Sequence, residues 1–163
     1  MSALSPGVDV LSSPTARVAG LPFGAEIPFV HHLGFTLELF EGGQSLLGYS
    51  PKPEHLNSFG VAHGGVCMAL LDVTMAAAAR SMAKDMGVVT IEMKTSFMRP
   101  APGSSGPLQS RGLLLHRTKS MAFTEGKIYD AQGQLCAHAT GTFKYVPRAV
   151  KPASGAPPQL PTD

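Results

Sequence analysis

Residues 57–83 read NSFGVAHGGVCMALLDVTMAAAARSMA, a nearly continuous apolar run with one carboxylate, Asp72, close to its middle. From Val66 to about Lys84 the run is rich in Ala, Met and Leu and poor in β-branched residues. This composition predicts a single helix, about 30 Å long. Gly87 is expected to end it, because a glycine commonly follows a helix C-terminus. A buried carboxylate is costly unless it is paired or hydrogen-bonded, so Asp72 requires an explanation.

The segments on either side of this helix have the alternating pattern and the turn residues of β-strands. Two strands are expected before the helix, joined by a hairpin at Gly42-Gly43. Four are expected after it, and the DAQG sequence at 130–133 predicts a tight turn with glycine where a positive φ is required. The expected strands cover residues 33–41, 44–51, 88–99, 107–117, 120–130 and 134–146. The predicted order is therefore β-β-α-β-β-β-β.

One apolar helix and a set of long, closely linked strands have one compact arrangement, in which an antiparallel sheet curls around the helix. This is the α+β architecture known as the hotdog fold. One sheet covers one side of the helix, yet apolar residues surround it, so part of its surface needs a second protomer. We therefore expect a homo-oligomer, and the resemblance to hotdog proteins, in which tetramers occur, implies a dimer that pairs into a dimer of dimers. The predicted domain spans residues 30–146, between a flexible or peripheral N-terminal extension (1–29) and a Pro-rich tail (147–163).

The composition argues against several other classes of protein. A net charge of +2 with scattered basic residues, and an aromatic content of 7%, give no support for nucleic-acid binding. The apolar run is long enough to suggest a membrane span, but Asp72 and Arg80 within it would each cost roughly 2.5–3.5 kcal/mol near the bilayer centre. Cys67 and Cys136 lie far apart without metal-type spacing, so a cytoplasmic protein without a bound metal is expected. The remaining histidines also lack such spacing and are interpreted as surface or satisfied residues: His31, His32, His55, His116 and His138.

The start of the predicted helix carries a pattern with chemical meaning, Asn57 followed six residues later by His63-Gly64-Gly65 and then by Asp72. The first glycines of a helix leave backbone N–H groups unpaired at the positive end of the helix dipole. A substrate carbonyl can approach Gly64 without meeting a side chain, and the oxyanion formed on attack is stabilised there. Asp72 can deprotonate a water molecule or attack the carbonyl carbon itself.

This N-x5-HGG-x6-D pattern resembles that of the hotdog-fold acyl-CoA thioesterases, and the most similar branch is that of the phenylacetate-pathway and 4-hydroxybenzoyl-CoA (Arthrobacter-type) thioesterases. The resemblance covers roughly residues 30–146 and includes GVVTIEMKTSFMRPAPG and DAQGQLCAHATGTF. It implies that Gly64 polarises the carbonyl and that Asp72 is the base or nucleophile. It also implies that Asn57 orients the water or the carboxylate and that the Thr90 hydroxyl supports the water. His63 would position the loop or contact the thioester.

The same resemblance implies contacts to the CoA part of the substrate. Gly65 adjoins the polarising glycine, and Arg117, Lys119 and Ser120 belong to the sequence HRTKS (116–120), at a strand connection that meets CoA phosphates in related enzymes. A solvated basic turn explains HRTKS equally well. No metal or redox cofactor is implied.

Other interpretations remain open at this stage. An Asp in an apolar helix can be a carboxylate bonded to a buried hydroxyl such as Thr74 or a strand threonine. The whole chain could be a non-catalytic acyl-CoA-binding or regulatory hotdog module, which would be expected to lose the carboxylate or the HGG sequence. It could also be a hotdog dehydratase or hydratase, which needs a different arrangement of His and carboxylate.

The spacing of Gly64 and Asp72 leads to one geometric expectation. Eight residues of helix separate them, about 12 Å along the axis, whereas hydrogen bonds reach about 3 Å. The two groups of one chain therefore cannot act on one water molecule. If both serve one site, Asp72 and Thr90 come from one protomer, while Asn57, His63 and Gly64 come from its partner.

Overall fold

A computed structural model of the chain describes residues 20–103 and 106–148. Within these residues, one antiparallel sheet of six strands curls around a single long helix. The helices are α1 (Pro28–Leu33) and α2 (Gly64–Arg80), and the strands are β1 (Thr36–Glu41), β2 (Gln44–Tyr49), β3 (Met86–Phe97), β4 (Leu108–Arg117), β5 (Met121–Tyr129) and β6 (Leu135–Pro147). The predicted hotdog fold and the predicted order of the strands and the long helix are confirmed.

The order of strands across the sheet is β1-β2-β4-β5-β6-β3, and every neighbouring pair is antiparallel. Gly42 and Gly43 close the first hairpin with φ values of 58° and 81°, which glycine adopts without strain. After α2 the chain enters β3 at the far edge of the sheet, beside β6, and then returns to place β4 beside β2. β3 is therefore a twelve-residue edge strand, and one of its sides has no strand partner among the described residues.

The long helix ends earlier than its sequence predicts. The hydroxyl of Ser81 donates to the Ala78 carbonyl (2.8 Å) and accepts from the Gly43 N–H (2.8 Å), so it ties the end of α2 to the first hairpin. The predicted end at Gly87 is wrong, because Gly87 lies inside β3, paired with Val146. An added Cβ on Gly87 would lie 3.3 Å from the Val146 side chain, a tight contact.

A short helix precedes the first strand and was not expected. Pro28 occupies its first turn and Gly34 ends it with φ of 77°, the usual placement of these two residue types. Leu33, predicted in the first strand, belongs to this helix. Before it, Leu21 forms an isolated bridge with Leu37 of β1. Residues 1–19 and 149–163, which make up most of the predicted extension and tail, lie outside the described residues.

The two sides of α2 differ in burial. One side is fully buried against the sheet through Leu70, Leu71 and Met75. Gly126 and Gly141 of the sheet make room for Met75, because an added Cβ at either position would lie 3.0 Å from its side chain. The opposite side carries mostly apolar residues that are only partly covered: Met68, Ala69, Asp72, Val73 and Ala76. One chain therefore leaves an apolar helix face exposed.

No helix among residues 20–103 and 106–148 combines the length and the apolar character needed to cross a membrane.

Candidate active site

The N-terminus of α2 presents one free backbone donor. His63 caps the helix, and its Nδ1 accepts a hydrogen bond from the Gly65 N–H (2.9 Å). Its carbonyl accepts from the Val66 N–H (3.0 Å). The Gly64 N–H has no hydrogen-bond acceptor among the described residues. Of the two glycines, Gly64 is therefore the one that can donate to a bound molecule.

Gly64 borders a cavity of about 360 Å³ at this end of the helix. Its lining is mainly apolar and consists of Asn57, Val61, Ala62, Gly64, Cys67, Phe97, Met98, Arg99, Pro100, Ala101, Cys136 and Ala137. The Phe97 ring lies over Gly64, where an added Cβ would be in ordinary van der Waals contact with its Cζ at 3.4 Å. Phe97 was not predicted as a site residue, and it comes from the far end of β3. Gly64 and its free N–H therefore border a space suited to an apolar group.

Asn57 lies in the loop that leads to this helix and stabilises the loop itself. Its Oδ1 accepts from the Phe59 N–H (2.9 Å) and from the Val61 N–H (3.4 Å). The Gly60 N–H donates to its carbonyl (3.0 Å), and Gly60 has φ of 72°. The side-chain oxygen is thus used by the turn, and the side-chain NH2 group remains available as a donor at the cavity.

The carboxylate of Asp72 has one identified partner, the hydroxyl of Thr90 on β3, which donates to Oδ1 at 2.7 Å. Burial raises the pKa of the Asp72 carboxyl above its ordinary value, and the Thr90 hydrogen bond counteracts part of that rise. Thr74, the alternative partner within the helix, contacts the Leu70 carbonyl and the Ser110 hydroxyl instead. The partner of Asp72 is therefore the strand threonine, and its carboxylate is a stronger base than an exposed one.

The structure brings the predicted residues together in two groups. Asn57 and Gly64 line the cavity, and His63 holds the turn of helix beside it. Asp72 and Thr90 contact each other, but neither belongs to the lining of that cavity. Because α2 is continuous from Gly64 to Arg80, the two groups are separated by about 12 Å of helix. One chain therefore holds the predicted residues in two separate groups.

Comparison with known proteins identifies the family. Residues 59–137 match the family model described as the thioesterase superfamily. A protein of Saccharolobus solfataricus named "Putative esterase SSO2140" is 32% identical over 103 residues, which cover 63% of this chain and 72% of that protein. The chain belongs to the thioesterase superfamily. The matched range contains the HGG sequence, Asp72 and Thr90, and it begins two residues after Asn57.

Solved structures agree with this thioesterase-superfamily fold. The crystal structure of AziG from S. sahachiroi is 28% identical, with a TM-score of 0.69, and the match covers 74% of this chain and 98% of AziG. The E. coli PaaI protein from the phenylacetic acid degradation operon has a TM-score of 0.68 at 20% identity, with 72% of this chain and 83% of PaaI covered. At 20% identity, the likeness to PaaI concerns the fold alone.

The HRTKS residues that were predicted to bind CoA lie near the C-terminal end of α2, whereas Gly64 lies at its N-terminal end. Arg117 donates to the Met82 carbonyl at 2.7 Å, just beyond the helix C-terminus, and its guanidinium lies 5.9 Å from the centre of the Tyr145 ring. Lys119 is exposed, and the Ser120 N–H donates to the hydroxyl of Thr118 (3.3 Å). Arg117 therefore stabilises the end of the helix, and the basic turn stands far from Gly64 of the same chain.

No group of three or more His, Cys, Asp or Glu side chains that could hold a metal ion is found in the part of the chain that the structure describes. His55 was interpreted from the sequence as a surface or satisfied residue. It is buried, and its Nδ1 lies 2.8 Å from the hydroxyl of Tyr49, which fits the second alternative. The only sequence signal for the place of His55 near the cavity was its position between Pro53 and Asn57, just before the residues that line the cavity.

Proposed function

We propose that this chain hydrolyses the thioester of an acyl-CoA to a carboxylic acid and free CoA. The observation that carries the proposal is the Gly64 N–H, which begins a helix, has no acceptor among the described residues and borders an apolar cavity. A thioester carbonyl is an acceptor suited to that position. Membership of the thioesterase superfamily supports the same class of reaction. CoA enters as part of the substrate, and we propose no metal or redox cofactor.

The lining of the cavity supports an apolar acyl group, aromatic or medium-chain. Met98, Ala101 and Ala137 contribute apolar walls to a volume of about 360 Å³. Such acyl groups agree with the phenylacetate-pathway and 4-hydroxybenzoyl-CoA branch, which we retain as the proposed branch.

In the proposed mechanism, the carbonyl oxygen of the thioester accepts a hydrogen bond from Gly64, which makes the carbonyl carbon more electrophilic. The Asp72 carboxylate removes a proton from water, and the resulting hydroxide attacks that carbon. The Gly64 N–H and the positive end of α2 stabilise the oxyanion of the tetrahedral intermediate. The C–S bond then breaks, and the CoA thiolate takes the proton from the Asp72 carboxyl. Direct attack by Asp72, giving an anhydride that water opens, uses the same residues.

We propose that each active site is shared between two protomers. The separation of Gly64 from Asp72 supports this assembly, and so does the surface around Asp72. Met68 beside it on α2 is 40% exposed, and Ile91 of the edge strand β3 is 54% exposed. A long edge strand with exposed apolar side chains favours pairing with another copy. We propose a homodimer on this face and a dimer of dimers above it.

The cysteines support carboxylate chemistry rather than thiolate chemistry. Burial, and to a smaller extent the neighbouring Cys136, raises the pKa of the Cys67 thiol to about 11, so it stays protonated at neutral pH. Both cysteines are buried free thiols. The reduced state fits the cytoplasm, which we propose as the setting.

An assay of free-thiol release against a panel of aromatic and medium-chain acyl-CoAs tests the proposed reaction. We expect release of one thiol per acid formed with at least one member of the panel. Binding of acyl-CoA by calorimetry without thiol release would instead support the regulatory module. Addition or loss of water at the acyl chain, with the thioester intact, would support a hydratase or dehydratase.

Removing the Thr90 hydroxyl should shift the pH dependence of hydrolysis. Thr90 donates to the ionised carboxylate and so lowers the pKa of Asp72, so Thr90→Val should raise that pKa further. Because the base acts only when ionised, the acid limb of kcat/KM against pH should move to higher pH. Thr95→Val on the same strand is the matched control, since its hydroxyl has no partner among the described residues. An acid limb that stays in place or moves to lower pH would contradict the role of Thr90.

A further inference from the structure

His55 is held on one side by two hydrogen-bond donors. Its side chain is buried, with 8% exposed, and its Nδ1 lies 2.8 Å from the hydroxyl of Tyr49 at the end of β2. The backbone N–H of Lys52 donates to the same nitrogen at 3.4 Å. The Tyr49 and His55 rings also stack, with centres 5.9 Å apart. The imidazole is therefore attached to the sheet through β2.

These contacts define which nitrogen of His55 carries the proton. Burial raises the pKa of the Tyr49 phenol to about 12, with smaller contributions from the charges of Cys67 and Glu54, so the hydroxyl keeps its proton at neutral pH. Because the backbone N–H of Lys52 can only donate, Nδ1 is an acceptor, the neutral ring carries its proton on Nε2, and the Tyr49 hydroxyl donates to Nδ1. Nε2 is buried and has no hydrogen-bond partner among the described residues. The ring thus serves as an acceptor through Nδ1.

A continuous set of hydrogen bonds leads from His55 to the first turn of α2. The His55 carbonyl accepts from the His63 N–H at 2.9 Å. His63 in turn accepts from the Gly65 N–H through Nδ1 (2.9 Å) and from the Val66 N–H through its carbonyl (3.0 Å). The residues on both sides of Gly64 are therefore fixed, while the Gly64 N–H itself stays free.

We propose that Tyr49 and His55 form a positioning pair that fixes the direction of the Gly64 N–H toward the thioester carbonyl. The inference rests on the proposed function of Gly64 in hydrolysis. A misplacement of about 1 Å at a reacting group can cost roughly 10²-fold in rate. The contact from Gly64 strengthens as the oxyanion forms, so its misdirection lowers kcat more than it raises KM.

The test compares variants that lack either the donor or the acceptor of the hydrogen bond between Tyr49 and His55 Nδ1. Tyr49→Phe removes the donor, His55→Ala removes the ring, and His55→Asn keeps an acceptor close to the Nδ1 position. We expect Tyr49→Phe and His55→Ala to lower kcat by about 10-fold or more with KM within about twofold, and His55→Asn to recover most of the rate. Ile128→Val, a fully buried change on β5, is the control for a general loss of stability.

A second readout does not depend on activity. Amide resonances of Gly64 and Gly65, and their rates of hydrogen exchange, report the geometry of the helix start directly. We expect both glycine resonances to move in Tyr49→Phe and His55→Ala, and to keep their positions in His55→Asn and Ile128→Val. Tyr49→Phe loses only a hydroxyl, so it carries the test if His55→Ala does not fold.

The outcomes separate this inference from the proposed function. Glycine resonances that do not move in Tyr49→Phe and His55→Ala would overturn the positioning pair. The positioning pair would also be overturned if Ile128→Val had the same melting temperature as Tyr49→Phe and lost kcat equally. A general loss of stability would then account for the lower rate. Absence of thioesterase activity in the wild-type protein would contradict the proposed function. The amide resonances of Gly64 and Gly65 in the variants would still show whether Tyr49 and His55 hold the start of α2.

Discussion

Asp72→Asn is expected to lower kcat at least ~10²-fold while acyl-CoA binding remains close to that of the wild type. The amide has nearly the shape of the carboxylate and can still accept from the Thr90 hydroxyl, which lies 2.7 Å from Oδ1. It can neither remove a proton from water nor attack a thioester carbon. Steady-state kinetics of thiol release measure kcat, and calorimetry with a non-hydrolysable acyl-CoA analogue measures binding. A variant that keeps more than half of wild-type turnover would exclude Asp72 as base or nucleophile.

Thermal unfolding provides the control for Asp72→Asn, with a sign that can be stated in advance. Burial raises the pKa of Asp72 in the folded state. The stability linked to this group is therefore fully present below its unfolded-state pKa and is lost as the pH rises through the folded-state pKa. At pH 7 to 8 the asparagine variant should melt at or above the wild-type temperature, and the difference should shrink in acid. Loss of activity together with a higher melting temperature cannot result from misfolding.

Two inactive variants are expected to restore activity when they share a dimer. Asn57→Asp keeps an oxygen acceptor for the Phe59 and Val61 N–H groups but loses the donor NH2, so it damages one half-site without opening the turn. Asp72→Ala damages the other half-site. In an equal, co-refolded mixture about half of the dimers are mixed, and each mixed dimer has one site with both lesions and one with neither. About a quarter of all sites should be intact, so activity should reach roughly a quarter of the wild-type value if sites act independently.

A site built within one chain predicts a different result for the same mixture. Every site would then carry one lesion, and the mixture would be no more active than the average of its parents. Mass spectrometry of the intact dimers establishes that mixed species have formed. A mixture of two separately refolded and unexchanged samples is the matched control, because it contains the same lesions without shared sites.

Much of the fold could be predicted because it depends on local patterns. The Ala-, Met- and Leu-rich run defines α2, and Gly42 and Gly43 fix the first hairpin through their positive φ values. The end of α2 could not be predicted, since it depends on a hydrogen bond between Ser81 and Gly43, 38 residues apart in sequence. Gly87 suggested a helix end, but it lies inside β3, where an added Cβ would make a tight contact with the Val146 side chain at 3.3 Å.

The candidate site divides in the same way. Gly64 and Asp72 could be proposed from their residue types and spacing, because a helix start and a carboxylate in an apolar helix have chemical consequences of their own. The contact between Thr90 and Asp72 was implied only by resemblance, because it joins a strand to a helix across tertiary structure. Phe97 and His55 gave no comparable local signal. Their positions depend on strand pairing and on burial against Tyr49.

With active sites shared as proposed, the length of helix between Gly64 and Asp72 makes the activity per chain depend on the protein concentration. If each complete site needs two chains, dilution below the dimer dissociation constant leaves folded protomers that hold half-sites only. In that regime the rate of hydrolysis grows with the square of the chain concentration, since dimers form in that proportion. Doubling the chain concentration would then quadruple the rate of hydrolysis, and this dependence needs no effector or covalent modification.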